Sequence, residues 1–254
     1  MYAQREEAGE AGTPEQGAAP GAETPPTHHA RRITSFRSRR STLSGGQQQT
    51  WDRLWPQIGT EARNAEGHPV VLDPQRWFGR QAPLILEIGC GTGVSTSAMA
   101  QSEPDLDVIA VEVYKKGLGQ LLGVIDRDGI PNIRLVRGDG VDVLEHSLPS
   151  ASLTGVRVFF PDPWPKARHH KRRLFQTETM ALIADRLKPG GILHAATDHQ
   201  GYAEHIAEVG DAEPRLRRVD TDRQLPISVA RPETKYERKA LAGPIVTELL
   251  WERR

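Results

Sequence analysis

The chain has 254 residues, of which 37% are hydrophobic and 26% charged, the composition of a globular protein long enough to bury a core. Its formal net charge is zero, which excludes a strong global attraction to nucleic acid, so any such binding depends on local clusters among the 33 basic residues. The single cysteine excludes an internal disulfide. No apolar run approaches the roughly 18 residues of a membrane span, and no hydrophobic signal core is present, so we expect a cytoplasmic protein.

The first 46 residues differ in composition from the rest of the chain. Residues 1–30 are rich in Ala, Gly, Glu, Pro and Thr and hold almost no large apolar side chain, which predicts a disordered tail. Residues 31–46 form a basic arm with five arginines among its first ten residues, which fits either contacts with phosphates or a solubilising linker. Residues 47–254 are predicted to form one domain.

The peptide Leu43–Gln47 spells L-S-G-G-Q, the signature peptide of transport ATPases. That peptide works only beside a phosphate loop, and the sequence contains no G-x-x-x-x-G-K-[ST]. We therefore interpret it as a loop whose Ser or Gly caps the next helix. This helix, over roughly residues 47–57, has one apolar face formed by Trp51, Leu54, Trp55 and Ile58.

Leu84–Ile88 is a short apolar run typical of a buried parallel strand. Gly89, Gly91 and Gly93 follow at alternate positions, and from Val94 the small and apolar residues fit the start of a helix. A strand, a glycine turn and a helix open nucleotide-binding α/β folds, because glycines allow a sharp turn and the close approach of a ligand. Tight packing alone is the simpler alternative.

The acidic residues beside this turn indicate which ligand it holds. Glu87 gives the spacing E-x-G-x-G-x-G, and its carboxylate would repel the pyrophosphate of a dinucleotide but suits a cationic head such as that of S-adenosylmethionine. Glu112 closes the next apolar run and is placed to accept hydrogen bonds from ribose hydroxyls. Cys90, inside the turn, is interpreted as a small packed residue and not as a nucleophile.

The chain then alternates strands and helices in the doubly wound manner. We predict strands over 107–112 and 132–137, each followed by a helix, over 114–127 and 141–146. Asp139 follows the second of these strands. It can contact an adenine amino group at the carboxyl edge of the sheet, or it can cap the next helix.

A second stretch with chemical character follows the predicted strand 156–160. Three prolines in Pro161–Pro165 hold the backbone rigid and extended, and they display Asp162 and Trp164. A basic run comes next and is predicted to open a helix over about 172–187. The simpler alternative is that Asp162 is an ordinary turn residue and that the basic run is a solvated face of the protein.

The last section contains two further candidate segments. A turn over 187–191 leads to a predicted strand over 192–196, and Asp198 then either caps the helix predicted over 200–209 or contacts a substrate. The charged segment Arg231–Glu237 precedes a final predicted strand over 245–251.

Phe159–His169 reads F-F-P-D-P-W-P-K-A-R-H and resembles the hallmark F-P-D-P-W-x-K-x-R-H of tRNA (guanine-N7-)-methyltransferases. The resemblance extends over roughly residues 33–254, and Arg231–Glu237 is similar to the family motif R-P-x-T-K-[FY]-E. It implies a class I methyltransferase: a single α/β domain with a doubly wound, mostly parallel, Rossmann-like sheet. It also implies methylation of N7 of the guanine at position 46 in the variable loop of tRNA.

The resemblance assigns roles to individual residues. It implies that S-adenosylmethionine is held by Glu87, Gly89, Gly91, Gly93, Glu112, Asp139 and Asp162, with Asp162 also at the catalytic centre. It implies that the substrate is held by Lys166, Asp198, Thr234, Lys235, Tyr236 and Glu237. The tRNA phosphates are expected to contact Lys166, Arg168, Lys171, Arg172 and Arg173. No metal and no membrane is expected, and the protein is expected to be a monomer or a homodimer.

N7 of guanine carries an aromatic lone pair that is unprotonated at neutral pH, so its methylation needs no general base. We therefore expect Asp162 to act by orientation and electrostatics and not by proton abstraction. Three alternatives remain: methylation of another RNA position or acceptor, a nicotinamide oxidoreductase, which Glu87 and the glycine spacing oppose, and a non-catalytic RNA-binding module, which has no need of the donor-site acids.

Overall fold

The computed structural model describes residues 42–220, 223–232 and 245–254. The predicted tail, the basic arm up to residue 41 and the segment Thr234–Glu237 lie outside the described residues. The described strands are β1 (Gly59–Glu61), β2 (Leu84–Ile88), β3 (Asp107–Glu112), β4 (Ile133–Arg137), β5 (Leu153–Phe159), β6 (Leu187–Thr197), β7 (Leu216–Arg218) and β8 (Thr247–Arg253). The described helices are α1 (Gly45–Ile58), α2 (Pro74–Phe78), α3 (Val94–Ser102), α4 (Lys115–Asp128), α5 (Gly140–His146), α6 (Thr177–Arg186) and α7 (Gln200–Ala212), with a 3-10 helix over Ala167–Arg172.

The eight strands form one sheet in the order β1-β4-β3-β2-β5-β6-β8-β7. The strands from β1 to β6 are parallel to their neighbours, whereas β8 runs antiparallel to both β6 and β7. The chain leaves the central strand β2 toward β3 and β4 and later returns on the other side as β5. This confirms the predicted doubly wound, mostly parallel α/β fold, and a sheet of this kind has its ligand crevice where the strand order reverses.

Apolar layers cover both faces of the sheet. On one face Ile85 packs in a cluster with Trp51 of α1 and Leu121 of α4. On the other face Leu86 belongs to a cluster that includes Ile183 of α6 and Tyr202 of α7. Buried on both sides, the central strands read as continuous apolar runs, which is why their bounds were predictable.

Helix α1 confirms the interpretation of the L-S-G-G-Q peptide as a capping loop. The Ser44 side chain accepts a hydrogen bond from the Gln47 backbone N–H, and the Gln47 side chain accepts one from the Ser44 N–H, so the two residues form a capping box. Trp51 stacks on Trp55 with ring centroids 4.1 Å apart. None of the helices in the described part of the chain is both long and apolar enough to span a membrane.

The helix predicted over 172–187 is wrong at its start, since α6 begins at Thr177. The Gln176 side chain donates hydrogen bonds to the carbonyl oxygens of His170 and Arg173 and so stabilises a 3-10 turn ahead of α6. The predicted turn at 187–191 is also wrong, because strand β6 already starts at Leu187. The final strand occupies Thr247–Arg253, two residues later than predicted, and it leaves Ile245 89% exposed.

Candidate active site

A cleft of about 290 Å³ opens at the carboxyl ends of the four central strands β2, β3, β4 and β5. Its position is the one at which open α/β sheets bind ligands. It brings together candidate residues that are far apart in the sequence. The predicted site residues that line it are Gly89, Gly91, Glu112, Asp139 and Asp162.

The glycine turn adopts the backbone conformation that its sequence requires. Gly89, Gly91 and Gly93 all have positive φ angles, of 77°, 56° and 77°. The N–H of Gly89 donates to the carbonyl oxygen of Val111 at 2.8 Å, which fastens the turn to strand β3. Burial raises the pKa of the Cys90 thiol, and the charges of nearby carboxylates raise it further, so this thiol stays protonated. That agrees with its interpretation as a packed residue.

Glu112 holds the glycine turn as well as lining the cleft. Its Oε2 accepts from the Gly91 N–H at 2.9 Å, and its Oε1 accepts from the N–H groups of Val113 and Tyr114 at 2.7 and 3.0 Å. The sequence predicts a ligand contact for this acid but gives no sign of its structural hydrogen bonds. A carboxylate fixed by three backbone donors is preorganised for a further contact at its rim.

Glu87 lies on β2 just before the turn, is 3% exposed and does not itself line the cleft. Its Oε1 accepts a hydrogen bond from the Thr96 hydroxyl at 2.9 Å, while its Oε2 has no hydrogen-bond partner among the described residues. Burial raises the pKa of Glu87 to about 7, against the opposing effects of the Arg157 charge and the Thr96 hydrogen bond. A buried carboxylate with an unpartnered oxygen is a ready acceptor for a cationic ligand.

Asp139 caps a helix, and its place in the cleft is compatible with the ligand contact that the sequence left open as the other role. It is the N-cap of α5, where its side chain accepts from the Val141 N–H at 3.0 Å, and it also lines the cleft. The next residue, Gly140, packs so closely on β2 that a Cβ atom there would lie 2.3 Å from Ile88 Cγ2. The Asp139 side chain is therefore held at a fixed distance from the glycine turn.

The proline-rich loop after β5 is strained and strongly anchored. Phe160 and Trp164 both have left-handed backbone conformations, with φ angles of 51° and 43°, which cost roughly 1–3 kcal/mol each for residues of this size. The Phe160 N–H donates to the Ala196 carbonyl at 2.8 Å, and the Trp164 side chain is buried. Strain retained at the mouth of a cleft, beside the exposed Asp162, is typical of a functional loop.

Arg173 is buried and anchors this loop, so its predicted contact with tRNA phosphates is wrong. Its Nε donates to the Pro163 carbonyl at 3.0 Å, its guanidinium lies 4.9 Å from the centroid of the Tyr202 ring, and only 5% of the residue is exposed. Burial lowers the pKa of Arg173. Arg172 is half-buried and stacks on Trp164, with 3.8 Å from the guanidinium carbon to the ring centroid. The exposed members of the basic run are Lys166, Arg168 and Lys171.

Asp198 is exposed at the carboxyl end of β6, next to the strand that leads into the Asp162 loop. Its alternative role as a helix cap is wrong. The N-cap of α7 is His199, whose Nδ1 accepts from the Tyr202 N–H at 3.2 Å. The other predicted residues that do not line the cleft are Gly93, which caps α3, and Lys166, which precedes the 3-10 helix.

Arg231 opens the motif whose residues from position 233 onward lie beyond the described part of the chain. Its guanidinium forms an ion pair with Glu248 on β8 and lies 4.8 Å from the Phe160 ring centroid. Glu248 also pairs with the fully buried His194. Burial acts to raise the pKa of Glu248, but the hydrogen bonds and charges of His194 and Arg231 keep it below its ordinary value. Sequence reasoning missed these contacts, although a histidine inside an apolar strand is a signal for them.

The described residues include no group of three or more His, Cys, Asp or Glu side chains arranged to hold a metal ion. A family described as putative methyltransferase matches residues 81–244. A tRNA (guanine-N(7)-)-methyltransferase of Mycolicibacterium gilvum is 71% identical over 247 residues, covering 93% of this chain and 94% of the relative. One from Mycobacterium sp. (strain KMS) is 70% identical over 232 residues, covering 91% of this chain and 84% of the relative.

The fold is also similar to solved structures of low sequence identity. The 16S rRNA methyltransferase KamB matches with a TM-score of 0.51 and 16% identity over 71% of this chain and 92% of that protein. The aminoglycoside resistance methyltransferase NpmB1 matches with a TM-score of 0.50 and 16% identity over 76% of this chain and 98% of that protein. At this level of identity the similarity concerns the fold alone.

Proposed function

Because the chain belongs to the tRNA (guanine-N(7)-)-methyltransferase family, we propose that it transfers the methyl group of S-adenosylmethionine to N7 of guanine 46 in the variable loop of tRNA. The observation that carries this proposal is the single cleft that joins the glycine turn, Glu112 and Asp139 to the Asp162 loop. A donor site and a rigid loop with an acid at its tip meet there. The experiment described below distinguishes this function from methylation of another RNA position and from a non-catalytic role in RNA binding.

The donor end of the cleft fits the parts of S-adenosylmethionine, which supplies a methyl group on a cationic sulfur when bound. Glu87 does not line the cleft but lies on β2 just before the glycine turn, and its unpartnered Oε2 suits the ammonium group of the amino-acid portion, since a buried carboxylate oxygen without a donor is otherwise costly. Glu112 is held at the end of β3 to meet ribose hydroxyls, and Asp139 is held by its capping bond to meet the adenine amino group. Because the turn residues Gly89, Gly91 and Gly93 have no side chains, the ligand can approach the backbone of the turn closely.

At the acceptor end, Asp162 positions guanine. The N7 lone pair attacks without losing a proton, so the protein has to align the two reactants and exclude water, an effect that is worth roughly 7–11 kcal/mol in well-oriented reactions. The Asp162 carboxylate accepts hydrogen bonds from the guanine N1–H and amino group and stabilises the positive charge that methylation creates. Phe160 and Trp164 fix the backbone of the loop on either side of Asp162, which limits how far the carboxylate can move during the reaction.

Substrate contacts extend from Asp162 along the exposed rim. Lys166, Arg168 and Lys171 follow Asp162 on an exposed basic surface, which suits the backbone phosphates of tRNA. Asp198 lies at the neighbouring strand end, and the family resemblance adds Thr234, Lys235, Tyr236 and Glu237 as expected contacts of the nucleotide. With tRNA as its substrate, the protein acts in the cytoplasm, as a monomer or a homodimer.

The decisive experiment measures methyl transfer from labelled S-adenosylmethionine to unmodified tRNA, followed by nucleoside analysis. Label in N7-methylguanosine, lost when guanine 46 of the transcript is replaced by adenine, supports the proposal. Label in another nucleoside would show that the protein is a methyltransferase with a different acceptor atom. Binding of the donor without any transfer would favour the non-catalytic role.

A further inference from the structure

A row of buried ionisable side chains crosses the sheet. Glu87 on β2 and Arg157 on β5 are register partners, and Arg157 and His194 on β6 are register partners as well. In a parallel sheet such partners lie on the same face. Glu87 is 3% exposed, while Arg157 and His194 are fully buried. Buried charges are costly unless they are paired. Arg157 pairs with Glu103 and His194 with Glu248, whereas Glu87 has no ion-pair partner among the described residues and requires an explanation beyond packing.

Arg157 is held by Glu103 and by the backbone of Ser228. Its Nη2 donates to Glu103 Oε2 at 2.6 Å and to the Ser228 carbonyl at 3.0 Å. Glu103 is itself fixed, because its Oε1 accepts from the Ser228 N–H at 2.6 Å. The Nε and Nη1 atoms of Arg157 have no hydrogen-bond partner among the described residues, and neither does Oε2 of its neighbour Glu87. The Arg157 guanidinium therefore acts on Glu87 through its charge, which opposes the rise in the pKa of that carboxyl, and not through a hydrogen bond.

We propose that Arg157 is a positioning residue of the donor site, whose buried charge keeps the Glu87 carboxylate ionised and therefore able to receive the ammonium group of S-adenosylmethionine. This inference rests on the proposed function, in which Glu87 meets that ammonium group. An uncharged Glu87 would offer the ligand a far weaker contact. Arg157 forms no hydrogen bond to Glu87 among the described contacts, so Oε2 of Glu87 remains available to the ligand.

The other groups that face Glu87 do not supply this charge. Helix α3 contributes the Thr96 hydroxyl, which is neutral, and β3 contributes Ala110 as its register partner. The glycine turn contributes the Cys90 thiol, whose pKa is raised by burial and by the charges of Glu87 and Glu112. Even with Arg157 in place, burial leaves the pKa of Glu87 at about 7, so the ionised form depends on this one cation among the described residues.

The test measures the dissociation constant of S-adenosylhomocysteine, which has the same ammonium group, by calorimetry from about pH 6 to about pH 9. In the parent protein the affinity should fall about tenfold per pH unit below about pH 7, as Glu87 becomes protonated. Arg157→Met should move this midpoint upward by at least about one pH unit, and Arg157→Lys should largely restore it. The ligand's own amino group titrates identically in every measurement, so differences between variants report on the protein.

Two further variants control the result. Arg80→Met removes a guanidinium that pairs with the buried Asp107 at the other end of β3, 2.7 Å away, and it should leave the midpoint unchanged. Glu103→Gln keeps Arg157 but removes its competing carboxylate, so the midpoint should move downward; this variant also decides the matter if Arg157→Met does not fold. An unchanged midpoint in both Arg157→Met and Glu103→Gln would overturn the proposal. Unimpaired binding by Glu87→Gln would overturn it as well, whereas the proposed function is judged separately by the tRNA methylation assay.

Discussion

Gly117 of α4 lies directly against the Gly91 carbonyl group of the glycine turn. A Cβ atom at position 117 would be 2.3 Å from that oxygen and 3.6 Å from Glu112 Cγ. Helix α4 therefore supports the turn from below, at the point where the Gly91 N–H meets the Glu112 carboxylate. The absence of a side chain at one helical position sets the geometry of the donor site.

The first prediction concerns this contact. Gly117→Ala should displace the turn and weaken S-adenosylhomocysteine binding by at least about tenfold, because the rigid backbone carbonyl cannot move aside cheaply. The control is Gly123→Ala on the same helix, where no atom lies within 4 Å of the added methyl group. That variant should bind normally and gain roughly 0.5–1 kcal/mol of stability from helix propensity. Calorimetry and thermal unfolding check both. Equal binding by the two variants would contradict the role given to Gly117.

The second prediction concerns Asp162. If it acts by orientation and charge, Asp162→Asn should lower kcat roughly 10²-fold, in the range found when one stabilising group is removed from a transition state. Binding of S-adenosylhomocysteine should change much less. The measurement is single-turnover methyl transfer to tRNA across a pH series. An acid limb near neutrality that is present in the parent protein and absent from the variant would indicate proton transfer by Asp162.

The sequence predicted the parts of this site that depend on local pattern. Apolar runs located the central strands, alternate glycines located the turn, and the prolines around Asp162 indicated a rigid loop. The parts that it missed depend on partners far away along the chain. Arg157 meets the carbonyl of Ser228, 71 positions later, and Arg173 is buried against Gly201. The sequence of a basic run does not show which of its residues are buried, because that depends on how α7 packs against the run.

The third prediction separates inward and outward basic residues. Lys171→Ala should weaken tRNA binding and reduce the slope of log K against log salt by about one, the effect of one lost phosphate contact. Arg173→Ala should leave this slope unchanged but lower stability by roughly 1–3 kcal/mol, since it leaves the Pro163 carbonyl without its donor. Filter binding over a salt series and thermal unfolding distinguish the two. A flattened slope in Arg173→Ala would return that residue to the RNA interface.

The last prediction concerns the stability cost of Glu87. Its pKa is about 7 in the folded protein and 4.5 ordinarily, so the folded state binds a proton that the unfolded chain releases between these two values. The protein therefore loses stability as the pH rises from about 4.5 to about 7, and above that range the loss is constant, on the order of 3 kcal/mol. Glu87→Gln removes this loss while abolishing the contact with the donor ammonium group. It should unfold at a higher temperature than the parent protein at about pH 8 and at nearly the same temperature at about pH 4.5, and it should bind S-adenosylhomocysteine poorly throughout.

The control is Glu66→Gln, at an exposed position, which should change stability by less than about 0.5 kcal/mol at either pH. If Glu87→Gln were instead destabilised at about pH 8, the carboxylate would be stabilising the folded state through its attraction to the charge of Arg157, and its burial would not be a cost maintained for ligand binding.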